Sequence, residues 1–575
     1  MIQAPPSPSA YKIQYIFWAT CVVFAIITIR LSVLQITLSE NFVKKGERNF
    51  IRTEKIASPR GNIVDRNGVL LVTNRPVNSL YWNGSGNRTL TPDQCAIVAN
   101  LEQILGIDIY QSEANKNELQ QVERRYKKFL LAQDLSIEQL SKLQERIPHH
   151  DNLIISTDFE RLYPFQSFAS HILGYLSSIH SSHEGRMGIE KVCDELLKGQ
   201  DGSTLKIINS FGKSLSETTI EQPNVGAEIR TTLDATLQSI VESVFPKIYA
   251  GAFIIMNPVD GAILALSSQP NFDPNMFLKP ILQDEWHTIQ GSKQPFINRA
   301  FSSHYPPGSI FKLVSMSAAL ETGLVRPDAT VYCNGYHTFA GRKYFCHNKH
   351  GHGRLTASEA LEQSCNIIFY ETAKRIDIDV LADYANRFGL GQKTSSLFPE
   401  INGLVPSRAW KRSAKGEKWW PGETLSASIG QSFLLTTPIQ VARMIGSIFT
   451  GYLVKPRILM DEPIEKKPLN IRIETLEFLR NSMQKVVTVG TGRRSRVKDI
   501  QVYAKTSTAQ NSDLSKRELG EQYLEHGWFV SHFHYKHHTP LTIVIILENV
   551  GSSSVPTGVA KNFFVEYKKR MDSVA

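Results

Sequence analysis

The sequence predicts an α+β fold held behind a single membrane-anchoring helix. Three observations support this: an uncharged apolar run near the N-terminus, strand patterns at both ends of the region from residue 251 onward, and a helical middle between them. Strands far apart in sequence around a helical centre read as one sheet closed by distant segments. With 575 residues the chain exceeds one ordinary core, so more than one domain is expected.

Residues 16–29 are mostly apolar and carry no charge, and residues 31–34 extend the run past Arg30. About 20 such residues cross a bilayer as a helix, and an arginine near one end reaches the interface. A cleaved signal peptide is the competing reading, but no small-x-small cleavage site follows the run. The expectation is an uncleaved anchor over 15–36, a cytoplasmic tail over 1–14 and the remainder outside the cytoplasm. Asn67-Gly68 reads as a tight turn between extended pieces. Residues 92–147, rich in Glu, Gln, Lys and Leu, read as a helical lobe, inserted at about 80–160 in an elongated domain over 37–235. A second domain covers 236–575. It opens with a buried-type strand at 251–257, the turn Pro258-Val259-Asp260-Gly261 and a returning strand, with helices from about 307 to 450. Strand patterns return at 502–508, 528–532 and 541–547.

The formal charge of +10 suits an anionic envelope or membrane surface, and the scattered basic residues form no nucleic-acid-binding tract. The densest group, Lys411-Arg412 with Lys415 and Lys418, reads as a solvated loop.

Three short motifs carry the chemistry, in order: Ser309-Ile310-Phe311-Lys312, Ser364-Cys365-Asn366 and Lys505-Thr506-Ser507. Pro306-Pro307-Gly308 is a helix entrance, so Ser309 and Lys312 lie one turn apart on one face, with Ser309 at the positive helix end. That arrangement suits an amine-activated serine nucleophile, provided burial and a second cation lower the lysine's pKa. Ser364 and Asn366 are two apart, so a turn is needed to bring both into one cleft; Ser364 is then placed to relay a proton and Asn366 to hold a substrate amide. Lys505, Thr506 and Thr508 read as a strand lining that cleft, with the two former binding a carboxylate. The N–H groups of Ser309 and Thr508 are the expected oxyanion donors.

In these motifs the chain resembles the penicillin-binding and serine β-lactamase superfamily. It is most similar to the class B penicillin-binding proteins, which are monofunctional D,D-transpeptidases. The resemblance runs almost end to end, through Arg60-Gly61, Asp65-Arg66-Asn67-Gly68, Gly185-x-x-Gly188-x-Glu190, Asn298-Arg299-Ala300 and Tyr305-Pro306-Pro307-Gly308-Ser309. Gly351-His352-Gly353, Phe369-Tyr370, Phe388-Gly389-Leu390-Gly391, Trp420-Pro421-Gly422-Glu423 and Ile429-Gly430-Gln431 are similar to the elongation-specific, penicillin-binding protein 2 branch, with the division-specific branch as the alternative. The resemblance implies a pedestal domain with a head insertion over 37–235 and a transpeptidase domain over 236–575. It implies Ser309 as nucleophile toward stem-peptide D-Ala-D-Ala, Lys312 as base, Ser364 as relay, and β-lactams as inhibitors acylating Ser309. It implies an inner-membrane, single-pass protein with a periplasmic catalytic domain, no cofactor for the chemistry, and two partners: a SEDS-family glycan polymerase of the RodA type and the rod-complex proteins. Two positions depart from the family: Ser507 and Ser432 stand where glycine is usual. Strand alternation puts Ser507 on the Lys505 face, where its side chain narrows the cleft.

Cys333, Cys346 and Cys365 fall within 33 residues, with His352 between the last two. Cys₃His is a sound tetrahedral set for structural zinc. Some of the elongation-type proteins that the chain resembles hold a metal in this region. His337, His347 and His350 are substitutes for His352, and a Cys333–Cys346 disulfide is the alternative. Other functions fit less well. The segment before the catalytic region shows no glycosyltransferase pattern, and no Glu-x-x-x-Asn-type deacylation loop of a β-lactamase is evident. A sensor or scaffold that is acylated without turning over remains the reading from a different class.

Overall fold

The computed structural model describes residues 8–40, 50–106, 108–109, 113–147, 150–177, 184–209, 214–278, 281, 283–291, 293–394, 397–511 and 514–574. The chain forms two compact units, one from residues 1–59, 74–160 and 198–226, the other from 60–73, 161–197 and 227–575.

In the smaller unit, helix Pro8–Ser32 continues as a single π turn, Val33–Thr37. Its Tyr15–Ile36 stretch has a mean hydropathy of 2.1 with none of it buried, and is long and apolar enough to cross a membrane. Residues 1–7 of the expected tail lie outside the described residues. Strands Ile51–Ile56, Gly202–Ile208 and Ser214–Glu221 form an antiparallel sheet with the second in the middle. The lobe contains helices Pro92–Leu105, Glu113–Arg124 and Ile137–Arg146, two of them opened by reciprocal capping boxes at Thr91/Gln94 and Ser136/Gln139. The sequence predicts a helical lobe, but the observed lobe is not wholly helical. Lys128–Ala132 is a strand, its register running Leu80↔Ala132 to Asn83↔Lys128. Its four-residue apolar run, Phe129 to Ala132, carries no helical period, so its partner strand decides the outcome. Glu123 is buried and accepts from Trp82 Nε1 at 2.8 Å and Gln94 Nε2 at 3.1 Å, which satisfies a carboxylate that would otherwise be costly to bury.

In the larger unit, the sheet consists of β1 (Gly251–Met256), β2 (Ile263–Gln269), β3 (Ile500–Ala509), β4 (His526–Tyr535) and β5 (Leu541–Leu547), in the order β2-β1-β5-β4-β3 with every pair antiparallel. Both faces are covered, so β5 is buried at every position and shows no alternation in sequence. Phe253, Ile255, Phe529, Ile543 and Ile545 share one core with α1 (Ala235–Val244) and α4 (Ser554–Val574). Ile254, Trp528, Val530, Val544 and Ile546 share the other with α2 (Lys312–Glu321) and α3 (Pro438–Thr450). The period-two alternation of each strand thus divides its side chains between two helical layers. The stretch from about 307 to 450, predicted as mainly helices with loops between, also holds four short strands: Thr330–Cys333 pairs with Gly353–Thr356, and Tyr336–Phe339 with Arg342–Phe345.

The Gly185-x-x-Gly188-x-Glu190 motif belongs to this unit. A Cβ at Gly185 would sit 1.9 Å from Glu190 O, and one at Gly188, where φ is +62°, would sit 2.4 Å from Ile172 O. Glu190 is fully buried and receives Arg60 Nε and Arg161 Nε, each at 2.7 Å, so one carboxylate holds two early segments together. Lys411 departs from the solvated-loop expectation. It lies on helix Arg408–Lys415, is 1 % exposed, and pairs with Glu423 and Glu417.

Candidate active site

Ser309 sits in a 3₁₀ turn, Gly308–Ile310, that runs into α2. The sequence predicts one α-helix here. The tighter turn still stacks residues three apart, so Ser309 and Lys312 stay on one side. The turn is held from outside: Gly308 N–H donates to Gly430 O at 2.9 Å. Gly430 has φ +76°, and a Cβ there would lie 2.1 Å from Gly308 O, so the Ile429-Gly430-Gln431 loop can press on the nucleophile turn only with glycine. Ser432, two residues on, has φ +70°. Glycine meets no steric cost in that conformation, which explains the usual residue there and marks Ser432 as strained.

Lys312 is fully buried and its Nζ donates to Ser364 O at 2.7 Å, Ser364 Oγ at 3.3 Å and Asn366 Oδ1 at 2.6 Å. Lys505, on edge strand β3 and also fully buried, donates to Ser364 Oγ at 2.9 Å. Burial pushes Lys312 down to about 8, against the raising effect of negative charge on the nearby Cys365 and Cys346 sulfurs. Burial, and secondarily the charge of Lys312, holds Lys505 well below the usual lysine range.

The turn that Ser364 and Asn366 require is present. Helix Ala357–Glu362, capped by Thr356 and Glu359, ends just before Ser364, whose φ of +54° reverses the chain before helix Ile367–Ala373. A non-glycine residue held in this conformation stores strain of a kind that recurs at functional sites. Asn366 spends its amide internally, with Nδ2 donating to Phe345 O at 3.0 Å and Tyr370 OH at 3.3 Å. Along β3, Lys505 and Ser507 face the catalytic turn; Ser507 Oγ accepts the Ser309 N–H at 2.8 Å. Thr506 Oγ1 bonds Thr491 Oγ1 at 2.7 Å, and Thr508 Oγ1 accepts the Ser553 N–H at 3.0 Å. Sequence reading missed Thr491 and Ser553. Neither stands in a distinctive local pattern, and only the fold brings them to β3.

Cys333 ends one of the four short strands, Cys346 follows a second, His352 precedes a third and Cys365 follows helix Ala357–Glu362; their ligand atoms all lie within 4.8 Å of one another. Cys333 Sγ is 3.4 Å and Cys346 Sγ 3.6 Å from His352 Nδ1, and Cys346 Sγ is 3.9 Å from Cys365 Sγ. The Asn366 N–H also points at Cys346 Sγ, at 3.5 Å. Of the substitutes, His347 Nδ1 reaches Cys346 Sγ at 3.9 Å, while His337 pairs with Glu371 at 3.0 Å.

This serine–lysine–serine–lysine arrangement lies inside a match to the penicillin binding protein transpeptidase domain over residues 251–565, preceded by a match to the penicillin-binding protein dimerisation domain over 55–231. The chain belongs to the penicillin-binding protein transpeptidases. The two domains in this order are those of a class B penicillin-binding protein. It is 28% identical over 571 residues to a peptidoglycan D,D-transpeptidase MrdA of Acinetobacter baumannii, covering 93% of this chain and 84% of that one. Among solved structures it is similar to penicillin-binding protein PBP2 in its complex with MreC from Helicobacter pylori, with a TM-score of 0.77, 25% identity, and 90% and 99% of the two chains covered. It is also similar to a chain of a peptidoglycan synthase complex that coordinates polymerization and crosslinking, with a TM-score of 0.73, 27% identity, and 97% and 98% covered. In this penicillin-binding protein the predicted α+β transpeptidase fold and serine-transpeptidase class both hold.

Proposed function

We propose that this penicillin-binding protein cross-links peptidoglycan stem peptides during cell-wall elongation, through an acyl-enzyme on Ser309. The observation that carries this reading is the shared hydroxyl: Ser364 Oγ is bonded by both Lys312 and Lys505 in a buried pocket beside the Ser309 turn. Two ammonium groups so close disfavour each other's charge. A donor's terminal carboxylate favours the charge on Lys505, which leaves Lys312 as the free amine. Lys312 takes the Ser309 Oγ proton as Oγ attacks the penultimate D-Ala carbonyl, and Ser364 relays that proton to the departing D-Ala amine. A neighbouring stem peptide's amine then takes the acyl group and returns the proton by the same route. Splitting one transfer into two steps is the gain from covalent catalysis. Thr506 and Thr508 are the proposed peptide-side contacts, joined by Asn366 once a peptide amide displaces its bonds to Phe345 O and Tyr370 OH.

The apolar N-terminal helix supports a single-pass anchor in the inner membrane, with the catalytic unit on the periplasmic side. The MreC complex and the synthase complex, as properties of those relatives, support a place among rod-complex proteins beside a SEDS-type glycan polymerase. The Cys₃His cluster fits structural zinc. With metal–sulfur bonds of about 2.3 Å, the ligands of a tetrahedral site lie roughly 3.5 to 3.8 Å apart, close to the separations found. Such an ion supplies only bracing, and because Cys365 adjoins Ser364 and Asn366 it would hold the second motif in place.

The test is a donor pentapeptide supplied with an acceptor amine. D-Ala release with a new peptide bond to the acceptor, both lost in Ser309→Ala, is the expected result. Acylation of Ser309 with no acceptor product would instead mark a sensor or scaffold.

A further inference from the structure

The N–H of Ser309 is the natural donor to a carbonyl oxygen being attacked by Ser309 Oγ, because it lies on the nucleophile's own residue at the start of a helical turn. In this structure that N–H is already taken by Ser507 Oγ, at 2.8 Å. Ser507 is 2 % exposed, and its Oγ sits 2.4 Å from where a Cβ on Gly308 would be. The hydroxyl therefore lies in the gap that glycine at 308 leaves, against the nucleophile turn. One N–H serves one strong acceptor, so a donor's carbonyl oxygen and Ser507 Oγ compete for it.

We propose that Ser507 is a built-in cap on the oxyanion site, which must rotate away before Ser309 can be acylated. The cap acts through the Ser309 amide, so Ser507 is a positioning residue; the inference rests on Ser309 as the nucleophile. In the capped reaction with a penicillin, the Ser309 Oγ–carbon bond forms and the lactam C–N bond breaks. The Ser309 proton passes through Lys312 to the lactam nitrogen, and the carbonyl oxygen uses the N–H only after Ser507 Oγ has left it. The cap slows acylation most for ligands with few other contacts, which have least binding energy to displace it.

The experiment uses the full chain in detergent, titrated with a fluorescent penicillin, in wild type, Ser507→Gly, Ser507→Ala and Ser507→Thr, with thermal melts as the check on folding. Ser507→Ala keeps the Cβ and serves if glycine loosens the strand. The Gly and Ala variants should acylate faster by roughly two- to tenfold, the worth of one hydrogen bond. The gain should appear in the limiting acylation rate and not in the half-saturating concentration, and Ser507→Thr should restore the slow rate. Label on the glycine variant but none on wild type would mean a complete cap. Equal rates would overturn the proposal, and slower acylation in Ser507→Ala would show the hydroxyl donating to the oxyanion instead. These two results leave the Ser309 reading intact, whereas no label on any folded variant removes that reading and the cap with it.

Discussion

Lys312 and Lys505 aim their ammonium groups at one hydroxyl, Ser364 Oγ, from 3.3 and 2.9 Å. The lysines come from positions 193 residues apart in a 575-residue chain, one from a helix start and one from an edge strand. Their closeness makes full protonation of both unfavourable and keeps an amine available below the ordinary lysine range.

The pH dependence of acylation follows. Lys312 is lowered to about 8 by burial, so its free-amine fraction grows as pH rises through that value. The second-order rate of penicillin labelling should climb between about pH 7 and 9 and level off above, with loss at low pH as Lys312 takes its proton. Stopped-flow labelling across that range checks it, and a rate flat from pH 6 to 9 would count against Lys312 as the base.

Glu190 binds Arg60 and Arg161 through separate oxygens while fully buried. Removing one member of such a buried charged group is strongly destabilising. Glu190→Gln should cost about 3 to 5 kcal/mol in denaturant unfolding of the catalytic unit. A loss under about 1 kcal/mol would mean that solvent or neighbours take over the arginines' charge.

The cysteine cluster makes an elemental prediction. Purified protein should carry about one zinc per chain, and Cys333→Ser should lose it together with several degrees of thermal stability. Penicillin labelling should fall as well, because Cys365 lies inside the second motif. Absence of zinc together with a Cys333–Cys346 disulfide in the peptide map would replace the metal reading.

Gly430→Ala tests the brace on the nucleophile. The added methyl would come within 2.1 Å of Gly308 O, and the backbone stands at φ +76°. Displacing the turn by a fraction of an ångström should reduce acylation by ten- to a hundredfold, roughly the scale for misplaced reacting groups. Near-normal labelling in a folded variant would show that the loop yields easily.

The residues of the candidate site were legible because each motif is local: a serine and lysine one turn apart, a serine and asparagine across a turn, and a strand with its lysine. The sheet was legible in β5 as a short apolar, largely β-branched run, and in β3 and β4 as short runs in which β-branched or aromatic residues mix with polar ones. What no local pattern announced is long-range. Ile63, Leu71, Ile172 and Ile189 share a core with Ile254 and Phe301, so early segments belong to the catalytic unit. The short strands around the cysteines were hidden for a related reason: their four-residue runs gain order from the hairpin partners and from the packing of Cys333 and Cys346. Ser507 was legible as a departure on the Lys505 face, but its bond to Ser309 depends on how closely β3 approaches the turn.

The most direct test of the account is the mass of the protein after incubation with a penicillin, followed by peptide mapping, in wild type and Ser309→Ala. The account predicts one adduct, on the peptide containing Ser309, and none in the variant. An adduct on another residue, or one that survives Ser309→Ala, would contradict the assignment of the nucleophile and of the site built around it.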